Sequence, residues 1–288
     1  MSARTLAIPC LFCFAERGGK IQRTAEHFLS RPVAKAFGID RDQGELSLVD
    51  EAGKVRKVRL SGFKRRCVCS DCNNGWMNRL ENAMGAVADW FNGGDVPLSE
   101  DLELILRRWA LSRHILLCAI DGNERAFFDV ENNDDFGYVV PPSSLARGLY
   151  EEDMVTIRGA AIGVARSSAG LEIGYAFGLP RILPPEAKPG LARFAPVSIL
   201  TLGEFQVWVI TPMIFETDVR VPEGVFNCQP GLKANDLPPL PHIAKPAEPV
   251  VEFLDLERST AEFERAQRWL VENAAAIDAG EIDPNGLD

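Results

Sequence analysis

Two Cys-x-x-Cys pairs are the residues of this chain best suited to chemistry. Cys10 and Cys13 form the first pair, and Cys69 and Cys72 form the second pair, with 55 residues between the pairs. Four thiolates suit a tetrahedral zinc ion at about 2.3 Å per bond, since each pair offers two sulfurs from one tight turn. We therefore predict a structural zinc site, because four protein ligands leave no open position for water.

The remaining cysteines leave alternatives to this ligand set. Cys67 extends the second half to Cys-x-Cys-x-x-Cys, so Cys67 with Cys69 is a possible ligand pair, although the matching spacing favours Cys69 with Cys72. Unrelated buried thiols and an iron–sulfur cluster are the other two interpretations. Cys118 and Cys228 stand alone in the sequence, and we expect both to be ordinary buried thiols.

Three polar residues near the cysteines have the chemistry of a second metal site. Glu26 and His27 lie between the cysteine pairs, and Asn73 directly follows Cys72. Carboxylate and amide oxygens are hard ligands that suit Mg²⁺ or Mn²⁺, and a neutral imidazole can take a proton from water near pH 7. Asn73 and Asn74 also suit the cap of a helix that begins at Gly75, and the two roles are compatible.

The order of these motifs resembles the HNH, or ββα-metal, endonuclease family in its zinc-bound form. The resemblance covers about residues 7–92. It implies that the four paired cysteines hold zinc, that His27 activates the attacking water, and that Glu26 and Asn73 ligate one catalytic Mg²⁺ or Mn²⁺. Hydrolysis of nucleic-acid phosphodiester bonds would follow, and we expect DNA rather than RNA as the substrate.

One motif position departs from that family. Its third ligand is commonly His or Asn, and this chain has Met77 there, with Asn78 one residue later. Because Met is a poor ligand for Mg²⁺, either Asn78 or Asn74 takes its place or the ion has fewer protein ligands.

Charge is distributed unevenly along the 288 residues. Residues 1–81 hold 15 Lys and Arg against 9 Asp and Glu, a net of +6, whereas the whole chain has a net charge of −10. A basic head on an acidic body is expected if only the head meets a polyanion. The cations nearest the cysteines are predicted phosphate contacts: Lys64, Arg65, Arg66 and Arg79. For the cations that precede the cysteines, a solvated edge strand that resists aggregation is the alternative interpretation.

The hydrophobic pattern predicts an α+β chain with two parts. Residues 1–92 are the part that the resemblance makes a zinc-stabilised ββα-metal module. The pattern predicts in it a short helix at 33–37, a hairpin of strands 45–49 and 54–60, and a helix from Gly75 to Phe91. A helix over 99–118 begins the second part, 93–288, with Ser99 as its N-cap. We expect Arg107, Arg108 and Arg113 on the solvent face of that helix.

The rest of the second part is predicted to be mostly antiparallel sheet. The expected strands lie at 126–130, 154–162, 171–177, 197–202 and 205–212, followed by a Pro-rich surface strap at 229–249 and a helix at 259–275. No apolar run is long enough to span a membrane, and the first residues lack the pattern of a secretory signal. We therefore expect a cytoplasmic protein without a membrane partner.

Two functions from different classes fit these observations. The first is a metal-dependent HNH endonuclease whose second part, 93–288, contributes target choice, a protein-partner surface or autoinhibition. The second is a non-catalytic zinc module that binds nucleic acid or protein. Work within a defence or mobile-element system with a companion protein is a further hypothesis.

Overall fold

The structure is a computed structural model. It describes residues 10–13, 23–49, 55–121, 142–167, 173–178, 181–182, 193–194, 197–210, 217–220, 225–237, 239–240 and 250–253. The strand predicted at 126–130 and the helix predicted at 259–275 lie outside these residues.

The N-terminal region pairs two strands that are distant in sequence and ends in a long helix. β1 (Arg23–His27) and β4 (Lys64–Cys69) are antiparallel, with a register shift between Thr24 and Glu26. The segment between them holds helix α1 (Arg31–Ala36) and the hairpin β2 (Glu45–Val49) and β3 (Val55–Arg59), as predicted.

The helical segment after the second cysteine pair begins earlier than the sequence indicates. A turn of helix α2 (Ser70–Cys72) follows β4 directly, with the Cys69 sulfur accepting from the backbone N–H of Cys72 as its cap. A π-helical turn over Asn73–Met77 then leads into α3 (Asn78–Gly93), so the asparagines are not the N-cap. The predicted apolar face is buried at Met77, Leu80, Met84, Val87, Trp90 and Phe91.

Gly94 ends α3 where the sequence predicts a stop. Its φ of +71° is a conformation that favours glycine, and a Cβ there would lie 2.5 Å from the side-chain oxygen of Asn235. Helix α4 (Glu100–Asp121) follows, and the backbone N–H of Leu102 donates to Ser99 Oγ at 3.3 Å, which confirms the predicted cap.

The second part contains two helices that the sequence analysis did not predict. Helix α5 (Pro142–Tyr150) was not expected. Helix α6 (Met154–Gly159) occupies most of the strand predicted at 154–162, so that prediction is wrong for these residues. Asp153 determines the outcome, because its carboxylate accepts from the N–H groups of Val155 and Thr156 and caps a helix that the apolar run alone does not indicate.

A mixed, largely antiparallel sheet forms the centre of the described structure. Along the chain its later strands are β5 (Ala161–Ser167), β6 (Ile173–Gly178), β9 (Val197–Leu202), β10 (Phe205–Ile210), β12 (Phe226–Asn227) and β13 (Pro239–Leu240). Two pairs of strands form separate two-stranded sheets: β7 (Arg181–Ile182) with β8 (Arg193–Phe194), and β11 (Thr217–Arg220) with β14 (Val250–Phe253). The strand order is β12-β5-β10-β9-β6-β2-β3, with β13 also on β5. The strands predicted near 171–177, 197–202 and 205–212 are confirmed.

The sheet joins the two halves of the chain. β2, from the N-terminal hairpin, pairs in parallel with β6, with Leu46 opposite Ile173. The segment that separates the two halves of the predicted metal site is therefore also an edge of the central sheet. In the part of the chain that the structure describes, we find no helix with the length and apolarity needed to cross a membrane.

Candidate functional site

The four predicted zinc ligands lie together. The sulfurs of Cys10, Cys13, Cys69 and Cys72 are all within 4.8 Å of one another, and those of Cys13 and Cys69 are 3.7 Å apart. A tetrahedron with metal–sulfur bonds of about 2.3 Å separates its sulfurs by about 3.8 Å. The cluster is therefore already close to the size that a zinc ion requires.

Local hydrogen bonds hold the two cysteine pairs against each other. The N–H of Leu11 donates to the carbonyl of Cys67 at 2.9 Å and fixes the first turn beside β4. The N–H of Cys69 donates to Cys10 Sγ at 3.3 Å, and the N–H of Cys72 donates to Cys69 Sγ at 3.4 Å. Backbone donors therefore face the sulfurs, an arrangement that stabilises thiolate charge.

The sulfurs also perturb each other's protonation. A hydrogen bond from Cys72, opposed by burial, lowers the pKa of Cys10 to about 4. The same contact, burial and the neighbouring sulfurs raise the pKa of Cys72. Four thiolates repel one another at this spacing, and a divalent cation between them would remove that repulsion. Cys67, although buried, is not in the cluster, so the described geometry favours the equally spaced pairs as the metal-binding set.

Asn73 lies against the strand that carries Glu26 and His27. Its side-chain Nδ2 donates to Thr24 Oγ1 at 2.8 Å, while Thr24 Oγ1 donates to the carbonyl of Val68 at 3.3 Å. Because the hydroxyl proton of Thr24 is directed to Val68, Thr24 must accept from Asn73, which defines the amide orientation. Asn73 Oδ1 is then the hard oxygen atom that the residue can offer to a cation.

His27 is half-buried and surrounded by cations. Lys64 is its partner in the β1–β4 register, and both Arg31 and Arg41 are close enough to act on the ring. Burial first, and then the charges of Arg41, Lys64 and Arg31, lower the pKa of His27 below its ordinary value. The imidazole is therefore neutral near pH 7, which is the state that accepts a proton.

Glu26 has a buried partner that the sequence does not indicate. Arg113 of α4, only 2% exposed, donates through Nη1 to Glu26 Oε1 at 3.0 Å and to the backbone carbonyls of His27 and Phe28 at 3.0 and 3.1 Å. One guanidinium thus fixes the Glu26 carboxylate and the two consecutive backbone carbonyls of His27 and Phe28. The prediction that Arg113 faces solvent is wrong.

A second buried carboxylate shares this guanidinium. Glu81 Oε1 of α3 lies 3.3 Å from Arg113 Nη1. Burial raises the pKa of Glu81 to about 7, the Glu26 carboxylate adds to that increase, and Arg113 opposes it. We call Glu26, Glu81 and Arg113 the buried charge cluster. With both carboxylates ionised it has one negative charge in excess, so either a proton or a cation stabilises it.

Arg107 is the other largely buried arginine of α4, again against the solvent-facing prediction. It forms an ion pair with Glu103 one turn earlier in α4. Its guanidinium also donates to the carbonyls of Ala160 at 2.9 Å and Cys228 at 2.7 Å. These bonds link α4 to the residue just before β5 and to the residue just after β12. Arg108 is half-buried and pairs with Glu152 at 2.8 Å.

The other predicted site residues are near the surface of this region. Lys64 and Arg66 on β4 and Arg79 on α3 are exposed, whereas the side chain of Arg65 lies outside the described part of the structure. Met77, at the third position of the motif, is instead 1% exposed and belongs to the hydrophobic core. Asn78 is exposed on α3, and its Oδ1 accepts from Asn82 Nδ2 at 3.3 Å.

Comparison with known proteins adds no relative. No protein-family model, no curated protein and no solved structure matches this chain.

Proposed function

We propose that this chain is a metal-dependent endonuclease of the HNH type, which hydrolyses phosphodiester bonds of nucleic acid. The observation that carries the proposal is the hydrogen bond from Asn73 to Thr24. Through it, the residue that follows the cysteine cluster lies beside the strand that carries Glu26 and His27. The antiparallel pair β1 and β4 followed by α3 supports a ββα-metal arrangement of these residues.

The donor atoms fit a hard divalent cation in addition to zinc. Asn73 offers Oδ1, and Glu26 belongs to the buried charge cluster, which has one carboxylate more than it has guanidinium groups. Mg²⁺ or Mn²⁺ held by these two residues would supply charge neutralisation at the scissile phosphate and at the leaving oxygen.

The remaining steps belong to the protein's own groups. His27, neutral near pH 7, takes the proton of the attacking water. Arg113 donates to the backbone carbonyl of His27 and so fixes the backbone position from which the imidazole extends. Lys64 and Arg41 place positive charge beside the imidazole, and this field favours the approach of a phosphodiester.

The test is cleavage of supercoiled plasmid DNA and of labelled RNA, with Mg²⁺ or Mn²⁺, by wild type and His27→Ala. A general base contributes about 10²–10⁴-fold, so we expect His27→Ala to lose at least about 100-fold in rate. Asn73→Ala should also lose activity, whereas the exposed Asn92→Ala is a matched control that should retain it. Cleavage that His27→Ala leaves unchanged would contradict the proposal.

A second candidate function is a zinc module that binds nucleic acid without cutting it. The observation that favours it is the burial of Met77, which leaves the third position of the motif without a polar ligand. Zinc content of one per chain and binding of nucleic acid, together with no cleavage of DNA or RNA by wild type, would favour this second function.

A further inference from the structure

A cleft of about 490 Å³ lies between α1 and α3, outside the set of residues predicted to contact phosphate. Arg31, Pro32, Lys35 and Ala36 of α1 line it on one side, and Asn82 of α3 lines it on the other. It is an open surface groove and not an enclosed cavity, so an extended chain could lie along it.

The charged side of this cleft is formed by Arg31 and Lys35. The two residues are four apart in α1 and therefore lie on the same face of the helix. Both are exposed. Arg31 approaches Asp42 at 4.0 Å, but the two side chains are 76% and 70% exposed, and an exposed ion pair of this kind is weak because water screens it. The arginine can therefore turn to another anion at little cost.

The uncharged parts of the cleft match the rest of a nucleic-acid backbone. Pro32 and Ala36 give small apolar surfaces next to the two cations, which suits alternating sugars and phosphates. The neutral amide of Asn82 forms the opposite edge, and its Nδ2 donates to the carbonyl and to Oδ1 of Asn78. None of the residues that line the cleft is aromatic, and we therefore expect no stacking of bases there.

The position of the cleft relates it to His27. Arg31 follows His27 by four residues, and its charge acts on the imidazole together with that of Lys64. Lys64 belongs to β4 and Arg31 to α1, so the two cations approach His27 from different elements. A strand bound across His27 would pass from one cation to the other and continue toward Lys35.

We propose that the α1–α3 cleft binds the sugar–phosphate backbone of a nucleic-acid strand next to the cleavage point, through Arg31 and Lys35 and independently of base sequence. This assignment deepens the proposed function of the site. Binding of nucleic acid to the cleft can, however, be measured separately from cleavage.

The experiment measures the affinity of zinc-loaded, full-length His27→Ala protein for a labelled DNA duplex without added Mg²⁺, between 50 and 200 mM salt. Each phosphate contact contributes about 0.9 to the slope of log affinity against log salt. The His27→Ala protein is the parent, and the double variant adds Arg31→Gln and Lys35→Gln. Between 50 and 200 mM salt the parent should therefore lose about 12-fold more affinity than the double variant.

Two further variants control the result. Arg158→Gln with Lys233→Gln removes one exposed arginine and one exposed lysine elsewhere, and it should leave the salt dependence unchanged. Arg31→Lys with Lys35→Arg keeps both charges and should restore the parent slope. An unchanged slope in the Arg31 and Lys35 double variant, or no binding by the parent, would overturn the cleft assignment.

Cleavage assays separate this outcome from that of the proposed function. Wild-type cleavage that depends on His27, together with equal salt slopes in parent and double variant, overturns the cleft and leaves the nuclease. A reduced slope without any cleavage supports the cleft and counts against the nuclease.

Discussion

Glu81→Gln should stabilise this protein at alkaline pH and leave its stability nearly unchanged at acid pH. Glu81 and Glu26 share one guanidinium, that of Arg113, at 3.3 and 3.0 Å, and both carboxylates are buried. The raised pKa means that the folded protein retains a proton on Glu81 up to a pH near 7, whereas the unfolded chain releases it near the ordinary value of 4.5.

The sign and size follow from this difference in pKa. A carboxyl whose pKa is raised by folding contributes stability that is fully present below its unfolded pKa and is lost as pH rises through its folded pKa. For values of 4.5 and about 7, the contribution is about 2.5 kcal/mol at pH 5 and close to zero at pH 8. A glutamine has the shape of the protonated acid and has no proton to lose.

Urea unfolding of wild type and Glu81→Gln at pH 5 and pH 8, with zinc bound and no added Mg²⁺, measures this effect. The difference in unfolding free energy between the two proteins should change by about 2.5 kcal/mol between the two pH values, in favour of Glu81→Gln at pH 8. The exposed Glu151→Gln is the control, and its difference should stay within about 0.5 kcal/mol. A difference for Glu81→Gln that does not vary with pH would refute the retained proton on Glu81.

Two other predictions address the same region. Arg113→Met removes the only counter-charge described for the buried pair of carboxylates and should cost about 3–5 kcal/mol in urea unfolding at pH 8, whereas Arg147→Met at an exposed ion pair should cost less than about 1 kcal/mol. Cys69→Ser should reduce zinc from about one ion per chain to well below one in metal analysis. Cys67→Ser should retain the zinc ion, and its loss there would contradict the assigned ligand set.

The cysteine cluster was predictable because its signal is local. Two residues between paired cysteines place two sulfurs on one turn, and the structure brings the four together as the spacing indicates. The hairpin at 45–59 and the cap at Ser99 were predictable for the same reason, since each is specified by neighbouring residues. Helix α6 also has a local signal in Asp153, but the β-branched and apolar residues that follow it are typical of a strand.

The burial of Arg113 could not be predicted in this way. Amphipathic periodicity assigns an arginine to the solvent face of α4, and only partners 32 and 87 positions earlier, Glu81 and Glu26, reverse that assignment. The parallel pairing of β2 with β6 is likewise a property of the whole fold. Neither the charge cluster nor the sheet order has a signature within one element.

The placement of Arg113 and of β2 determines whether residues 7–92 could fold without the rest of the chain. A fragment that stops after α3 would retain the four paired cysteines and His27, yet it would leave Glu26 and Glu81 without their cation. It would also expose the edge of β2, and an open strand edge invites pairing with other chains. The smallest autonomous unit therefore has to include α4 and the central sheet, even though residues 7–92 contain all the motifs that resemble the HNH family.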